Sequence, residues 1–194
     1  MNKQPFLTDI QIIRDRARKH IEQGAVTESY HADRKVVIDI LNEALATEIV
    51  CTLRYKYHYF TAEGLHAKSV AEEFLKHAQE EQHHADQIAV RICQLGGNPN
   101  MNPEGLLSRS HAQYVEGNTL LEMIREDLIA ERIAIESYSE IIRYLSDKDP
   151  VSRRLMEEIL AKEEEHAEDM ASLLMTIDPS KAAQHSGKSA SSAA

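Results

Sequence analysis

A glutamate followed three residues later by a histidine puts a carboxylate and an imidazole on one face of a helix, close enough to share a cation. The chain has 22 Glu and 10 His among 194 residues, so chance alone supplies this spacing about once. It occurs at Glu28/His31, Glu63/His66, Glu80/His83, Glu81/His84 and Glu163/His166. Only Glu81/His84 and Glu163/His166 interrupt an apolar stripe of helical period, the first within Val70, Phe74 and Ile88, the second within Ile159, Met170 and Leu173. Glu80 and His83 share a face with Glu73, Lys76 and Gln87 and are read as bystanders.

Each inward pair follows a single glutamate on an apolar stripe of its own. Glu48 stands 33 residues before Glu81 and Glu131 stands 32 before Glu163, which is an internal two-fold repeat. A lone core glutamate or histidine has ordinary explanations. Four ionised carboxylates at one level do not, because burying each costs several kcal/mol unless its charge is cancelled. Two divalent cations cancel that charge, and two neutral imidazoles complete the donor set. Oxygen with imidazole nitrogen suits iron or manganese.

The elements that must position these groups are legible from the same periodicity. Four helical segments span roughly 33–62, 67–95, 118–145 and 151–176. The links AEGLH and Asp147–Pro150 suit antiparallel hairpins. Between the second and third segments some twenty residues rich in Gly, Pro and Asn predict one long crossover along the bundle. Paired as antiparallel hairpins, the helices bring all six groups to one depth. The fold class is therefore an all-α four-helix bundle with one long crossover. Residues 1–32 form an extension with a short amphipathic helix over 8–23, capped by Thr8 and stopped at Gly24. The bundle covers 33–178, and 179–194 is a tail without core-forming pattern.

Composition excludes several classes of protein. Cys51 and Cys93 are too few for a disulfide framework or a cysteine-ligated metal, and their places on the two helices predict no bridge between them. A formal net charge of -10 argues against nucleic acid as a partner and favours cations. No apolar run is long enough to span a membrane and no signal-peptide pattern opens the chain, so the cytoplasm is the expected compartment.

The stretches ALATEIVCTLRYKYHY, EEQHHADQIAVRICQLGGNPN, EDLIAERIAIESY and EILAKEEEHAEDM resemble the four helices of bacterioferritin-type and Dps-like members of the ferritin-like di-iron carboxylate superfamily. The resemblance implies two iron ions per subunit, with manganese also suited to the donors. Glu48 and Glu131 would be terminal ligands, Glu81 and Glu163 bridging ligands, and His84 and His166 would each bind one metal. Tyr55 matches the tyrosine beside the bacterioferritin ferroxidase centre and carries the catalytic expectation of electron donation; Tyr138 occupies the equivalent place in the repeat. Asp127, one turn before Glu131, is read as accepting a hydrogen bond from a ligand histidine.

The implied activity is ferroxidase chemistry: Fe(II) is oxidised by dioxygen or hydrogen peroxide and Fe(III) is stored in a homo-oligomeric cage. Gln82 stands where haem-binding members carry methionine, so no haem is expected. Lys76 and Glu80 retain only half of the inner-surface iron site of some members. No apolar fifth helix follows the fourth, which favours a dodecamer over a twenty-four-subunit shell. Alternative readings are a soluble di-metal peroxidase or manganese catalase, or a DNA-protecting Dps-like protein using Arg14, Arg16, Arg18, Lys19, Lys181 and Lys188. Asp9, Asp15 and Glu22 interrupt that basic segment and favour a docking helix over a DNA arm.

Overall fold

The computed structural model describes residues 8–65 and 67–177. The tail expectation for 179–194, with Lys181 and Lys188, and the His66 member of Glu63/His66 lie outside them. The described residues form α1 (Ile10–Ala17), α2 (Arg34–Thr61), α3 (Ala67–Gln94), α4 (Leu106–Arg109), α5 (Leu120–Leu145) and α6 (Pro150–Ile177), with a 3-10 turn at Ile21–Gln23. The four long helices match the predicted segments to within two residues at each end.

Local chemistry sets their starts. The Asp33 carboxylate caps α2, accepting from the backbone N–H groups of Lys35 and Val36 at 3.1 and 3.3 Å. Thr119 Oγ1 caps α5 by accepting from Glu122 N, and the Glu122 carboxylate reaches back to the N–H of Asn118. Pro150 opens α6, where its missing N–H is no loss. Asp149 accepts there from both the backbone N–H and the hydroxyl of Ser152.

Packing divides the bundle interior in two. One apolar cluster is built around Leu41, Leu45, Ile88, Ile92, Tyr138 and Met156. The other is built around Tyr55, Val70, Phe74, Ile124 and Met170. Glu48, Glu81, His84, Glu131, Glu163 and His166 are all buried as well. They belong to neither apolar cluster, and each cluster presents one tyrosine to them.

The crossover runs beside α2 as expected. In ascending order along both segments, Asn42 accepts from the N–H of Asn100, Thr47 from the N–H of His111, Arg54 donates to the carbonyl of Gln113, and His58 bonds the carbonyl of Glu116. From residue 42 to 58 this covers ~24 Å of helix axis. The crossover then turns into α5 at Gly117, whose φ is +67° and where a Cβ would lie 2.9 Å from the backbone nitrogen of Met123.

The N-terminal helix is shorter than the sequence suggests. It ends at Ala17 and is capped by Asp9, which accepts from the N–H of Gln11, rather than by Thr8. His20 takes a left-handed conformation before the 3-10 turn that closes at Gly24. None of the residues of α1 is buried, so no packing supports a longer helix against its modest intrinsic stability. Further on, the extension does touch the bundle: Tyr30 donates to Asp149 at 2.9 Å, and Asp149 also receives Arg91. Cys51 is buried and Cys93 exposed, and both are free thiols.

Candidate metal centre

Donor atoms of Glu48, Glu81, His84 and Glu163 lie within 4.8 Å of one another, and so do those of Glu81, Glu131, Glu163 and His166. Glu81 and Glu163 belong to both sets. The structure thus brings together all six residues singled out as metal ligands, as two overlapping four-donor groups with two shared carboxylates.

Each histidine turns Nδ1 inward. His84 Nδ1 lies 3.1 Å from Glu163, 3.3 Å from Glu48 and 3.8 Å from Glu81. His166 Nδ1 lies 3.2 Å from Glu81, 3.7 Å from Glu163 and 3.9 Å from Glu131. Behind it, His166 Nε2 meets Glu80 Oε2 at 2.8 Å. A carboxylate there takes the ring hydrogen on Nε2 and leaves the lone pair on Nδ1, the form in which imidazole binds a metal. Glu80 is therefore not the bystander that its stripe suggested; it orients His166. His83, its neighbour in the motif, is exposed.

Asp127 also differs from expectation. It accepts from Arg54 Nε and faces His58 Nδ1, each at 2.8 Å, and serves no ligand histidine. Arg54 consequently directs its charge to Asp127 and to the crossover. Tyr55 donates to Glu131, and Tyr138 donates to Glu48. Each tyrosine is thus bonded to the glutamate of the opposite hairpin rather than to the one seven residues before it on its own helix.

The electrostatics fit a cation pair. Burial, reinforced by the charge of Glu81, raises the Glu48 carboxyl to about 8. Burial with the charges of Glu81 and Glu163 pushes Glu131 well above the carboxylate range. Burial works against protonated His84 and His166, yet the carboxylates that face their inward nitrogens prevail and hold them up at about 12 and about 10. Glu81 and Glu163 move down despite burial, because the groups that face them, the two histidines among them, favour their charged forms. In effect protons are drawn into this layer to offset its negative charge. Glu48 Oε2, Glu131 Oε2, Glu163 Oε1 and His84 Nδ1 are nonetheless buried without a hydrogen-bond partner. Donor type, burial and these unpartnered atoms all fit two divalent ions.

A pocket of about 290 Å³ between α3 and α6, lined by Glu80, His83, Gln87, Glu158 and Lys162, reaches His84. His77 falls on the α3 apolar stripe one turn before Glu81, a place legible in the sequence, but its spacing assigned it no role. Its ring stacks on His166 with centroids 4.0 Å apart, and burial together with the nearby His166 lowers it to about 4.

A bundle of two helical hairpins closed around shared carboxylates and one histidine per hairpin defines the di-metal carboxylate class. The ferritin-like domain family matches residues 38–179, and the chain belongs to it. It is 34% identical to the bacterioferritin of Brucella melitensis over 132 residues, 67% of this chain and 77% of that one. It is 30% identical to the bacterioferritin of Desulfovibrio desulfuricans over 136 residues, 69% and 72% of the two chains. Among solved structures, the dodecameric thioferritin of Bacteroides fragilis, a bacterioferritin-related protein, superposes with a TM-score of 0.75 at 33% identity, covering 79% of this chain and 92% of that one. Among the described residues no helix is long and apolar enough to cross a membrane.

Proposed function

We propose that the protein stores iron and is a ferroxidase, taking Fe(II) as substrate at the six-residue centre and giving up Fe(III) to a protein cage. The observation that carries this reading is the pair of donor sets sharing Glu81 and Glu163. Two ions held through common carboxylates are close enough to deliver two electrons together to one oxidant, dioxygen or hydrogen peroxide. In this reading Glu48 with His84 and Glu131 with His166 each hold one ion, and the shared glutamates lie between them. Iron or manganese satisfies the donors equally; iron is favoured by the bacterioferritin relatives.

The pocket that ends at His84 is the entry route, with Glu80 and Glu158 supplying negative charge at its mouth. Tyr55 is the electron donor beside the centre, and its phenolic proton has Glu131 as an immediate acceptor. The cage is a shell of twelve subunits, in keeping with the description of the Bacteroides fragilis relative as a dodecamer.

Native mass spectrometry combined with aerobic and peroxide-driven Fe(II) oxidation tests the proposal. A twelve-subunit particle that oxidises Fe(II) and retains many irons per chain is the expected result. A monomer or dimer that saturates at two metals per chain rejects storage.

A further inference from the structure

The ring of His77 has one nitrogen on each side of a boundary. Nδ1 points inward and lies 3.2 Å from the Tyr55 hydroxyl. Nε2 points away from the di-metal layer, 3.4 Å from Asp169 Oδ2 and 3.9 Å from Glu73 Oε2. The histidine side chain is 0% exposed, while those of Glu73 and Asp169 are 40% and 45% exposed.

In the tautomer with its hydrogen on Nδ1, the His77 ring gives that hydrogen to the phenolic oxygen of Tyr55, whose own hydrogen goes to Glu131. A neutral ring with its hydrogen on Nδ1 carries its lone pair on Nε2. Nε2 then confronts two carboxylate oxygens with no ring hydrogen between them. Glu73 Oε2 is itself buried at the atom and lacks a hydrogen-bond partner. In that tautomer three acceptor atoms converge, and positive charge at that point, from the Lys76 ammonium or from a metal ion, makes the arrangement favourable.

We propose that Glu73, His77 and Asp169 form a third cation site, outside the six-residue centre, for a divalent first-row metal such as Zn(II), Co(II) or Fe(II). One imidazole nitrogen with two carboxylates is a donor set these ions accept. The spacing fits as well: tetrahedral ligands each ~2.1 Å from a metal lie about 3.4 Å apart, against the 3.4 and 3.9 Å found here. The site is different from the Lys76/Glu80 pair that stands at the inner-surface iron positions of some relatives.

Lys76 is its built-in competitor. Its ammonium stands 3.5 Å from both Glu73 and Asp169, longer than a good charge-assisted hydrogen bond, on a side chain that is 52% exposed. Such a chain can swing into solvent when a divalent ion arrives.

The test titrates the assembled full-length protein with Zn(II), counts bound ions per chain by equilibrium dialysis and elemental analysis, and locates them by anomalous scattering at the zinc edge. The wild type is expected to bind one ion per chain more than the Glu73→Gln/Asp169→Asn double variant, with an anomalous peak beside His77 Nε2. His77→Ala loses the same ion, and Lys76→Met binds it at least about tenfold more tightly, since removal of a competing cation worth ~1.4 kcal/mol is tenfold in affinity. Glu81→Ala disrupts the six-residue centre and keeps the third ion, so failure of the di-metal reading and failure of this one are read separately. Equal counts in the wild type and the double variant, or no peak at His77, overturn the proposal.

Discussion

The hydroxyl of Tyr55 donates to Glu131, a carboxylate carried by the opposite hairpin. Tyr138 returns the contact to Glu48, so the hairpins are cross-braced by two bonds related by the internal repeat. The braces are not equivalent, because His77 touches Tyr55 while the position matching it in the repeat, four residues before Glu163, is Ile159. Tyr55→Phe is expected to slow Fe(II) oxidation several-fold more than Tyr138→Phe. Each is expected to destabilise the metal-free protein by about 1–2 kcal/mol through an unsatisfied buried carboxyl. Stopped-flow oxidation and denaturant unfolding measure the two effects, and equal oxidation rates in the two variants would remove Tyr55 from its proposed role.

Substitutions along the Glu-x-x-His stretch separate three kinds of residue. Glu81→Ala and His84→Ala are expected to abolish rapid Fe(II) oxidation with helicity retained, because each removes a donor from the centre. His83→Ala, at an exposed position, is expected to leave the rate nearly unchanged. Glu80→Ala falls between them, weakening metal affinity by about 10–100-fold, since it releases the bond that fixes the ring of His166. A Glu80→Ala protein with wild-type metal affinity counts against that positioning role.

Metal loading is expected to release protons. In the metal-free layer His84 and His166 are held at about 12 and about 10, Glu48 is raised to about 8 and Glu131 lies well above its ordinary range. His84, His166 and Glu48 therefore carry protons at pH 7, and a divalent pair must displace them, on the order of three protons per chain. Apparent affinity thus falls as pH is lowered. Calorimetric titration with Zn(II) in buffers of different ionisation enthalpy reads the number directly, and a release of fewer than one proton per chain contradicts the assignment.

Asp127 anchors the crossover through a buried charge pair. Asp127→Ala strands Arg54 and His58, both buried, and is expected to cost about 3–5 kcal/mol. The loss should appear as faster hydrogen exchange at residues 111–117, where Arg54 and His58 hold the carbonyls of Gln113 and Glu116. An unfolding midpoint shifted with unchanged exchange there would place the effect elsewhere.

The four long helices, the crossover and the six-residue centre were readable in the sequence for one reason. Glu48, Glu81, Glu131 and Glu163 interrupt stripes that are otherwise apolar, and a period of 3.6 fixes their facing. Glu80 was not readable in this way. It lies on the polar stripe and acquires its role from His166, which is 86 residues away and on another helix. Asp127 failed for the reverse reason: its depth was right, but the partners available at that depth, Arg54 and His58, come from α2 and outcompete the histidines of the centre. The end of α1 was misjudged because isoleucines at Ile10 and Ile13 are amphipathic by spacing, yet spacing does not supply a surface for them, and both remain exposed.

The distribution of donors between the hairpins has a kinetic consequence. Glu48, Glu81 and His84 all come from the α2/α3 hairpin, and Glu131, Glu163 and His166 from α5/α6; each four-donor set borrows one carboxylate from the other side. Helical hairpins close through contacts near in sequence and form early, whereas docking one against the other must wait for the crossover to be drawn in. A cation that bridges the docked pair, tightening contacts made after the rate-limiting encounter, slows unfolding and leaves the folding rate nearly untouched. Metal bound there would then work as a rivet set last: its loss would shorten the lifetime of the native bundle without altering the order in which its parts come together.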